Sequence, residues 1–341
     1  MPRIPLFTAS LLALAFAAPG FTQIVPSATD YTELAETIDA TMHAHHYNPA
    51  ELDSPAYAAV DQAVRQLAHT ATTDDEFREG FEAIWETGPF SHVDLRQEDR
   101  DAEAITNWIE DLRVGGGGAA LSWDGDIAVL TVNTMMGIDT IEQIDAAYDT
   151  IADRDVPALI IDLRANRGGM FAFKPLVEHV LDAPLNIGVF VSQGWNADMG
   201  RAPGPQDVVD VAPWTGWSIR DFWDSVQSND LTLARLNPDG PHFDGPVYVL
   251  VSSQTASAAE IAADALQASG RAVLIGETTA GQMLSQRVYD MPGGFQLYLP
   301  IADYYSLATG RIEGIGLTPS HPVEASDAMT VALERARGVS Q

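Results

Sequence analysis

The pattern of apolar and polar positions divides the chain into a helical N-terminal part and an alternating part. Between residues 25 and 90, three stretches carry apolar residues three and four positions apart: "DYTELAETIDATMHAHH", "SPAYAAVDQAVRQLAHTA" and "TTDDEFREGFEAIW". This spacing is typical of amphipathic helices. The break "YNPAELDSP" separates the first two stretches, and Thr and Asp open the third, as at a helix start. The pattern therefore predicts an N-terminal bundle of three helices.

From residue 91 to residue 335, short apolar runs alternate with amphipathic stretches. The runs "IAVLTV", "PALIID", "NIGVFVS", "PVYVLVS" and "RAVLIGE" predict strands, and the stretches between several of them predict helices. This alternation is typical of an α/β fold. Residues 193–241 are rich in Gly, Pro and Trp, so they predict a loop-rich insertion in this second region.

The first residues carry the pattern of a secretory signal peptide. Arg3 precedes an apolar stretch over residues 6–17, and small residues stand at Ala15 and Ala17. The stretch is shorter than the ~20 residues that a membrane-spanning helix needs. We therefore expect residues 1–18 to be a cleaved signal peptide and the protein to be exported, to a periplasm or out of the cell. No later segment has the pattern of a membrane span, so we expect none in the mature chain.

Composition excludes several kinds of partner and chemistry. The 48 acidic residues outnumber the 18 basic ones, and the formal net charge of −30 disfavours nucleic acid as a partner. Because the chain has no cysteine, it has no disulfide, thiolate metal site or cysteine nucleophile. The chain has one lysine, Lys174, which we expect on a solvated helix face. The histidines of "HAHH", residues 43–46, predict a surface cluster rather than a metal site, because their spacing does not converge.

One stretch, "VSSQTASAAE", places Ser257 where an apolar strand passes into a helix. Ser257 and Glu260 have the spacing of a capping box. The same position also suits a nucleophile, because the positive end of a helix dipole favours developing negative charge. This stretch alone leaves both interpretations open.

Two further stretches stand out, and the first of them can supply oxyanion chemistry. The sequence "DLRANRGG" ends a predicted strand in Gly168 and Gly169, and "GETTAGQ" follows a later strand. Consecutive glycines let a substrate approach backbone N–H groups closely. The N–H of Ala258, at the start of the predicted helix, offers a second donor.

Together, the three stretches resemble the tail-specific, or C-terminal processing, serine peptidases, a family that includes the tricorn core protease and the repeats of interphotoreceptor retinoid-binding protein. The resemblance covers roughly residues 127–323. It implies a crotonase/ClpP-like core of ββα units, and a peptidase that acts on polypeptides without a metal or an organic cofactor. The chain leaves no room for the PDZ module found in many relatives.

The resemblance also implies roles for particular residues. One branch of the family pairs the serine with a lysine, but Gln282 stands at the matching position here. The tricorn-like branch uses a histidine from an upstream "SH" pair and a glutamate from a downstream "EGxG" turn, which match "FSHVDL" and "RIEGIG". The resemblance thus implies Ser257 as nucleophile, His92 as base, and Ser91 with Glu313 as its support.

An imidazole is a suitable base for a serine hydroxyl, and a carboxylate can orient that imidazole. The oxyanion would be held by Ala258 and by Gly168 or Gly169, and Glu277 is the second candidate for the supporting carboxylate. Two other functions stay open. The same fold could bind an apolar ligand without catalysis, using the tryptophans between Trp195 and Trp223, or it could dock a partner through its N-terminal helices.

Overall fold

The computed structural model of the chain describes residues 29–339, so the predicted signal peptide lies outside the described residues. The helices are α1 (Tyr31–His45), α2 (Pro49–Leu52), α3 (Pro55–Thr70), α4 (Asp74–Trp85), α5 (Ala102–Glu110), α6 (Ile138–Ala152), α7 (Phe173–Glu178), α8 (Gln193–Met199), α9 (Ile219–Ser228), α10 (Ala258–Ala268) and α11 (Ala328–Val339). The strands are β1 (Asp94–Gln97), β2 (Ala119–Asp124), β3 (Ile127–Val132), β4 (Leu159–Asp162), β5 (Leu185–Val191), β6 (Pro213–Trp214), β7 (Leu231–Leu236), β8 (Val247–Val251), β9 (Ala272–Gly276), β10 (Ser285–Met291), β11 (Phe295–Ser306), β12 (Gly310–Arg311) and β13 (His321–Pro322).

The N-terminal helices form where the pattern predicts them, with one addition. The side chains of Asp30, Ser54 and Thr73 accept hydrogen bonds from the first backbone N–H groups of α1, α3 and α4. The extra helix, α2, is a single turn that Asn48 caps in the same way within the predicted break. The buried faces of these helices share a core with β11, through Phe295, Leu297, Leu299 and others. The bundle is thus packed onto a sheet.

A mostly parallel sheet has the strand order β13-β9-β8-β4-β3-β2. Its strands from β3 to β13 are parallel, and β2 adds to the edge as an antiparallel hairpin partner of β3. Helices cover both faces: α6, α7 and α10 share the main core with one face, and α11 packs on the other. Such burial explains the continuous apolar runs of β4 and β8.

The second sheet has the order β1-β11-β5-β7-β6, and β10 and β12 also pair with β11. Residues 193–241 contribute α8, β6, α9 and β7 to this half, so they contain more regular structure than their composition predicts. The strand β7 pairs with β5 along nearly its whole length and is almost completely buried. Its pairing with β5 and its burial explain why residues 231–236 form a strand inside a segment whose composition predicts loops.

The predicted α/β class, with a preceding helical bundle, is confirmed. Within the described residues, no helix combines the length and the apolar character that crossing a bilayer would require.

Candidate active site

Asn166 joins three segments at the carboxyl end of the parallel sheet. Its side chain is completely buried, and its Nδ2 donates to the Val132 carbonyl at the end of β3, 2.9 Å away. Its Oδ1 accepts the Gly168 N–H at 2.8 Å, and its backbone carbonyl accepts the Ala256 N–H at 3.1 Å. These bonds fix the glycine turn after β4 against the turn that precedes α10.

Ser257 occupies that second turn in a strained conformation, with φ 55° and ψ −126°. Thr255 holds the turn in place, because its Oγ1 donates to the Leu163 carbonyl and accepts the Ser252 N–H. Positive φ is uncommon for residues with a side chain, and such strain is concentrated at functional sites. The turn thus directs Ser257 outward at the start of α10.

The two glycines next to Ser257 have different roles. A Cβ added to Gly168 would stand 2.6 Å from the Ser257 Cβ, so only glycine allows this close approach. The Gly168 N–H is already bound by Asn166. The N–H groups of Gly169 and Ala258 have no hydrogen-bond partner within residues 29–339. The geometry therefore favours Gly169, rather than Gly168, as the companion of Ala258 in an oxyanion hole.

Glu260 confirms the capping interpretation of this stretch. Its Oε2 accepts the N–H groups of Ser257 at 2.9 Å and Gln282 at 3.0 Å. Its Oε1 accepts the Thr279 hydroxyl at 2.5 Å and the Gly281 N–H at 2.9 Å. Burial raises the pKa of Glu260, and these four hydrogen bonds oppose the rise. Because its oxygens are fully occupied, Glu260 orders the loop after β9 around Ser257 instead of acting as a base.

Ser91, His92 and Glu313 form the hydrogen-bond chain that the sequence predicts. The Ser91 Oγ lies 2.7 Å from the His92 Nδ1 and donates to the Glu313 Oε1, also at 2.7 Å. The other oxygen of Glu313 accepts the Met283 N–H at 2.5 Å. His92 also has a positive φ, 64°, and its carbonyl accepts the side-chain amide of Gln286 at 2.7 Å.

The hydrogen bonds that link Glu313, Ser91 and His92 determine the tautomer of His92. Ser91 has one hydroxyl proton and gives it to Glu313, so its oxygen must accept a proton from the His92 Nδ1. The Nε2 of the neutral imidazole then carries a lone pair and can act as a base. Burial lowers the pKa of His92, and the charge of Glu313 opposes that effect. The neutral, basic form is thereby favoured at neutral pH.

Ser257 and His92 both lie near residues 283–286, but their side chains are not hydrogen-bonded to each other. Within the described part of the chain, no hydrogen bond links the two side chains. Residues 283–286 connect their surroundings, since Met283 and Ser285 line a pocket with Ser257, while Gln286 holds His92. Catalytic hydrogen bonds are often long before substrate binds, so the lack of a hydrogen bond is compatible with Ser257 and His92 acting as nucleophile and base.

An apolar pocket opens beside Ser257 and Ala258. Its aromatic lining consists of Phe171, Phe173, Phe190, Trp214 and Phe222. The sequence analysis did not single out these residues, apart from placing Trp214 in a tryptophan-rich segment. They come from separate elements that only the fold brings together, and the pocket suits an apolar side chain.

Two predictions are wrong. Lys174 is 3% exposed, not solvated. His46 is buried, so "HAHH" is not a surface cluster throughout. Glu277, the second candidate for the supporting carboxylate, lies just after β9, where it accepts the N–H groups of Ala325 and Ser253 and is not hydrogen-bonded to His92.

One group of described side chains is close enough together to hold a metal ion: Asp182, His242 and Asp244. Their ligand atoms lie within 4.8 Å of one another, and all three residues are exposed. None of them lines the pocket at Ser257.

Comparison with known proteins places the chain in a family. The model of the family described as "Peptidase family S41" matches residues 126–323, more than half of the chain. The carboxyl-terminal-processing peptidase 2, chloroplastic, of Arabidopsis thaliana is 31% identical over 180 residues, which are 53% of this chain and 28% of that relative. The chain thus spans well under half the length of this curated relative.

Two solved structures share the fold. The photosystem II D1 C-terminal processing protease superimposes with a TM-score of 0.56 at 14% identity, covering 92% of this chain and 98% of that one. The tricorn protease gives a TM-score of 0.53 at 13% identity and covers 92% of this chain and 37% of that one. At this level of identity, both likenesses show the fold alone.

Proposed function

The chain belongs to peptidase family S41, and from this premise we propose that it is a serine endopeptidase that hydrolyses polypeptides through an acyl-enzyme. One observation carries the proposal: the chain of hydrogen bonds from Glu313 through Ser91 to His92. It leaves the imidazole with one basic nitrogen, the form that activates a serine hydroxyl.

In the first half of the reaction, the Ser257 Oγ attacks the carbonyl carbon of a peptide bond while the His92 Nε2 takes its proton. The negative charge that develops on the carbonyl oxygen is held by the N–H groups of Ala258 and Gly169. The tetrahedral intermediate collapses as the C–N bond breaks, and His92 gives its proton to the leaving amine. The acyl group then remains on Ser257 as an ester.

In the second half, His92 takes a proton from a water molecule, which attacks the ester carbonyl. The same two N–H groups hold the second oxyanion. The bond to Ser257 breaks, His92 returns the proton to the Ser257 Oγ, and the carboxylic acid product leaves. Through both halves, Glu313 and Ser91 orient the imidazole and stabilise its charged form.

The contacts of the alternative bases support the histidine mechanism. Gln282, at the position of the lysine in other relatives, has a neutral carboxamide side chain, which cannot act as a base. Lys174 donates to the backbone carbonyls of Thr215 and Gly216. Neither residue offers a free base next to Ser257.

The pocket beside Ser257 supports a class of substrate. Because aromatic and aliphatic side chains line it, we propose that it receives an apolar side chain on the acyl side of the cleaved bond. The relative from Arabidopsis thaliana is named for carboxyl-terminal processing, which agrees with a polypeptide substrate.

The test is cleavage of casein and of a peptide library by the native protein, Ser257→Ala and His92→Ala. We expect each substitution to lower kcat by about 10³-fold or more, because nucleophile and base act as a unit. A fluorophosphonate probe should label the native protein and not Ser257→Ala. Equal cleavage by all three proteins would show that the site is wrong.

A second candidate function is binding of an apolar ligand without catalysis, which the aromatic lining of the pocket favours. In that case, the native protein would neither cleave polypeptides nor react with the probe, and a fatty acid would quench its tryptophan fluorescence equally in Ser257→Ala.

We also propose export, from the signal-peptide pattern of residues 1–18. Expression of the full chain in a bacterial host, fractionation and N-terminal sequencing would test it. A mature protein that starts near residue 18 or 19 outside the cytoplasm is expected, and an uncleaved cytoplasmic chain would contradict it.

A further inference from the structure

The only lysine of the chain lies in the interior, beside the segment that lines the pocket. Lys174 is 3% exposed, and its Nζ donates to the carbonyls of Thr215 at 2.8 Å and Gly216 at 3.1 Å. The Nζ also stands 3.8 Å from the centre of the Trp217 ring. An ammonium group is costly to bury unless it is hydrogen-bonded, so these contacts account for its place in the fold.

Gly216 connects this lysine to the pocket. A Cβ added to Gly216 would stand 2.8 Å from the Cζ2 of Trp214, so the indole ring lies directly against the glycine backbone. The Trp214 ring lines the pocket together with Ser257, and it packs 5.4 Å from Phe171 and 5.3 Å from Phe222. Lys174 thus donates a hydrogen bond to the carbonyl of Gly216, the residue against which the Trp214 ring packs.

The strand that precedes Thr215 is short. The strand β6 has two residues, and it pairs with β7 at one edge of its sheet. Within the described residues, Lys174 is the only hydrogen-bond donor to the Thr215 and Gly216 carbonyls. Without it, both carbonyls would lose their partner and the backbone under Trp214 would be free to shift.

We propose that Lys174 is a positioning residue that holds Trp214 in the lining of the substrate pocket and thereby sets a preference for large apolar side chains. The inference rests on the proposed peptidase function for its substrate, but the placement of Trp214 is independent of catalysis. Lys174 has no role in the proton transfers.

The first test measures kcat/KM for two peptides that differ only at the residue on the acyl side of the cleaved bond, Leu or Ala. Lys174→Met keeps the length of the side chain and removes its hydrogen bonds. We expect it to lower kcat/KM for the Leu peptide by about 10-fold, mainly through KM, and to leave the Ala peptide within about 3-fold of the native value. The rate of labelling of Ser257 by a small fluorophosphonate should stay native, because that probe does not use the pocket.

Two further variants and a control complete this test. Lys174→Arg keeps a cation with donors and should restore much of the preference. Gly216→Ala displaces the Trp214 ring directly and should reduce the preference like Lys174→Met, so the proposal stays testable if one variant folds poorly. Arg113→Met is the control, since Arg113 pairs with Glu142 at the surface and does not line the pocket. The substrate preference of this variant should be native.

Acrylamide quenching of tryptophan fluorescence gives a readout that does not depend on activity. In a Trp217→Phe background, which removes the indole that the Lys174 Nζ contacts directly, Lys174→Met should be quenched more strongly than Arg113→Met. The difference should vanish when Trp214→Phe is added. If the native protein cleaves but Lys174→Met keeps both preference and quenching, the inference is wrong while the proposed function stands. If the native protein neither cleaves nor reacts with the probe, the proposed function and the specificity role fall together, and quenching alone decides whether Lys174 positions Trp214.

Discussion

Backbone strain in this molecule is concentrated at Ser257 and His92. Within residues 29–339, they are the only non-glycine residues with positive φ, at 55° and 64°. Such conformations cost on the order of 1–2 kcal/mol each and persist only where the surroundings hold them. The N–H of Ser257 is held by Glu260, and the carbonyl of His92 by Gln286. The strain thus falls on the proposed nucleophile and the proposed base, whose side chains it orients.

The pH profile tests the proposed support of His92. Glu313→Gln keeps the shape of the side chain but removes the charge that stabilises the imidazolium, so we expect kcat to fall by about 10²-fold or more. The base acts when it is deprotonated, so activity rises with pH through the pKa of His92. Burial lowers that pKa and Glu313 raises it, so removing the charge should move the rise to lower pH. The measurement is kcat/KM from pH 4.5 to pH 8.

Glu277→Gln is the matched control for this profile, because Glu277 was the second candidate carboxylate and its bonds go to Ser253 and Ala325. Its profile should coincide with that of the native protein. If the acid limb moved in Glu277→Gln but not in Glu313→Gln, Glu277 rather than Glu313 would be the supporting carboxylate.

At the scale of elements, the turn after β4 and the turn before α10 depend on each other. Gly168 comes so close to Ser257 that a methyl group has no room, and its φ is 91°. Gly168→Ala should therefore displace Ser257 and lower kcat by about 10²-fold, since even small misplacement of a reacting group is costly. It should also destabilise the fold by about 1–2 kcal/mol through strain. Steady-state kinetics and urea unfolding measure the two effects.

Gly115→Ala separates these effects. Gly115 has a similar φ, 79°, but a Cβ there would meet nothing within 4 Å. This control should show the conformational cost with native kcat. If Gly168→Ala were as active as Gly115→Ala, the close approach of the two turns would not matter for the reaction.

The sequence predicts those elements whose patterns are local. The apolar runs of β4 and β8 and the amphipathic helices α1 and α3 follow from spacing. Ser91, His92 and Glu313 enter the prediction through the resemblance to a peptidase family, which the "SH" and "EGIG" motifs carry. The burial of Lys174 could not be predicted, because its partners Thr215 and Gly216 lie about 40 positions away. The aromatic pocket was missed for the same reason, since its lining combines separate elements.

At the scale of the whole molecule, the helical bundle contacts the segment that carries His92. The His46 ring, at the end of α1, packs 4.1 Å from the ring of Phe90, and Trp85 contacts the same ring at 5.1 Å. Phe90 directly precedes Ser91. In addition, the Tyr47 N–H donates to the Pro300 carbonyl of β11. The bundle therefore supports the approach of the Ser91–His92 pair to the core.

His46 makes this junction sensitive to acid. The side chain is completely buried, and burial lowers the pKa of His46 to about 4. The hydrogen bond to the Asn48 backbone opposes this shift. Above the ordinary pKa of about 6.5, His46 is neutral in both the folded and the unfolded state, so its contribution to stability is fully present. As the pH falls from about 6.5 to 4, the unfolded state takes up a proton that the folded state excludes. Since one pKa unit corresponds to about 1.4 kcal/mol, this one residue should lower the free energy of unfolding by up to about 3 kcal/mol.

The variant His46→Phe isolates this contribution, because it keeps an aromatic ring against Phe90 and removes the titration. It also loses the bond to Asn48, a cost that does not change with pH. Urea unfolding at pH 7.5, 6 and 5 should show a smaller loss of stability in His46→Phe than in the native protein. His43→Phe, at a side chain that is 52% exposed, should retain the native pH dependence. Glu51 lies 3.8 Å from the His46 Nε2, and Asp39 lies 3.5 Å from the His43 Nε2. The other carboxyl groups titrate alike in all three proteins, so the difference between variants reports on His46 together with Glu51. Equal pH dependence in all three would contradict a neutral, buried histidine at the junction.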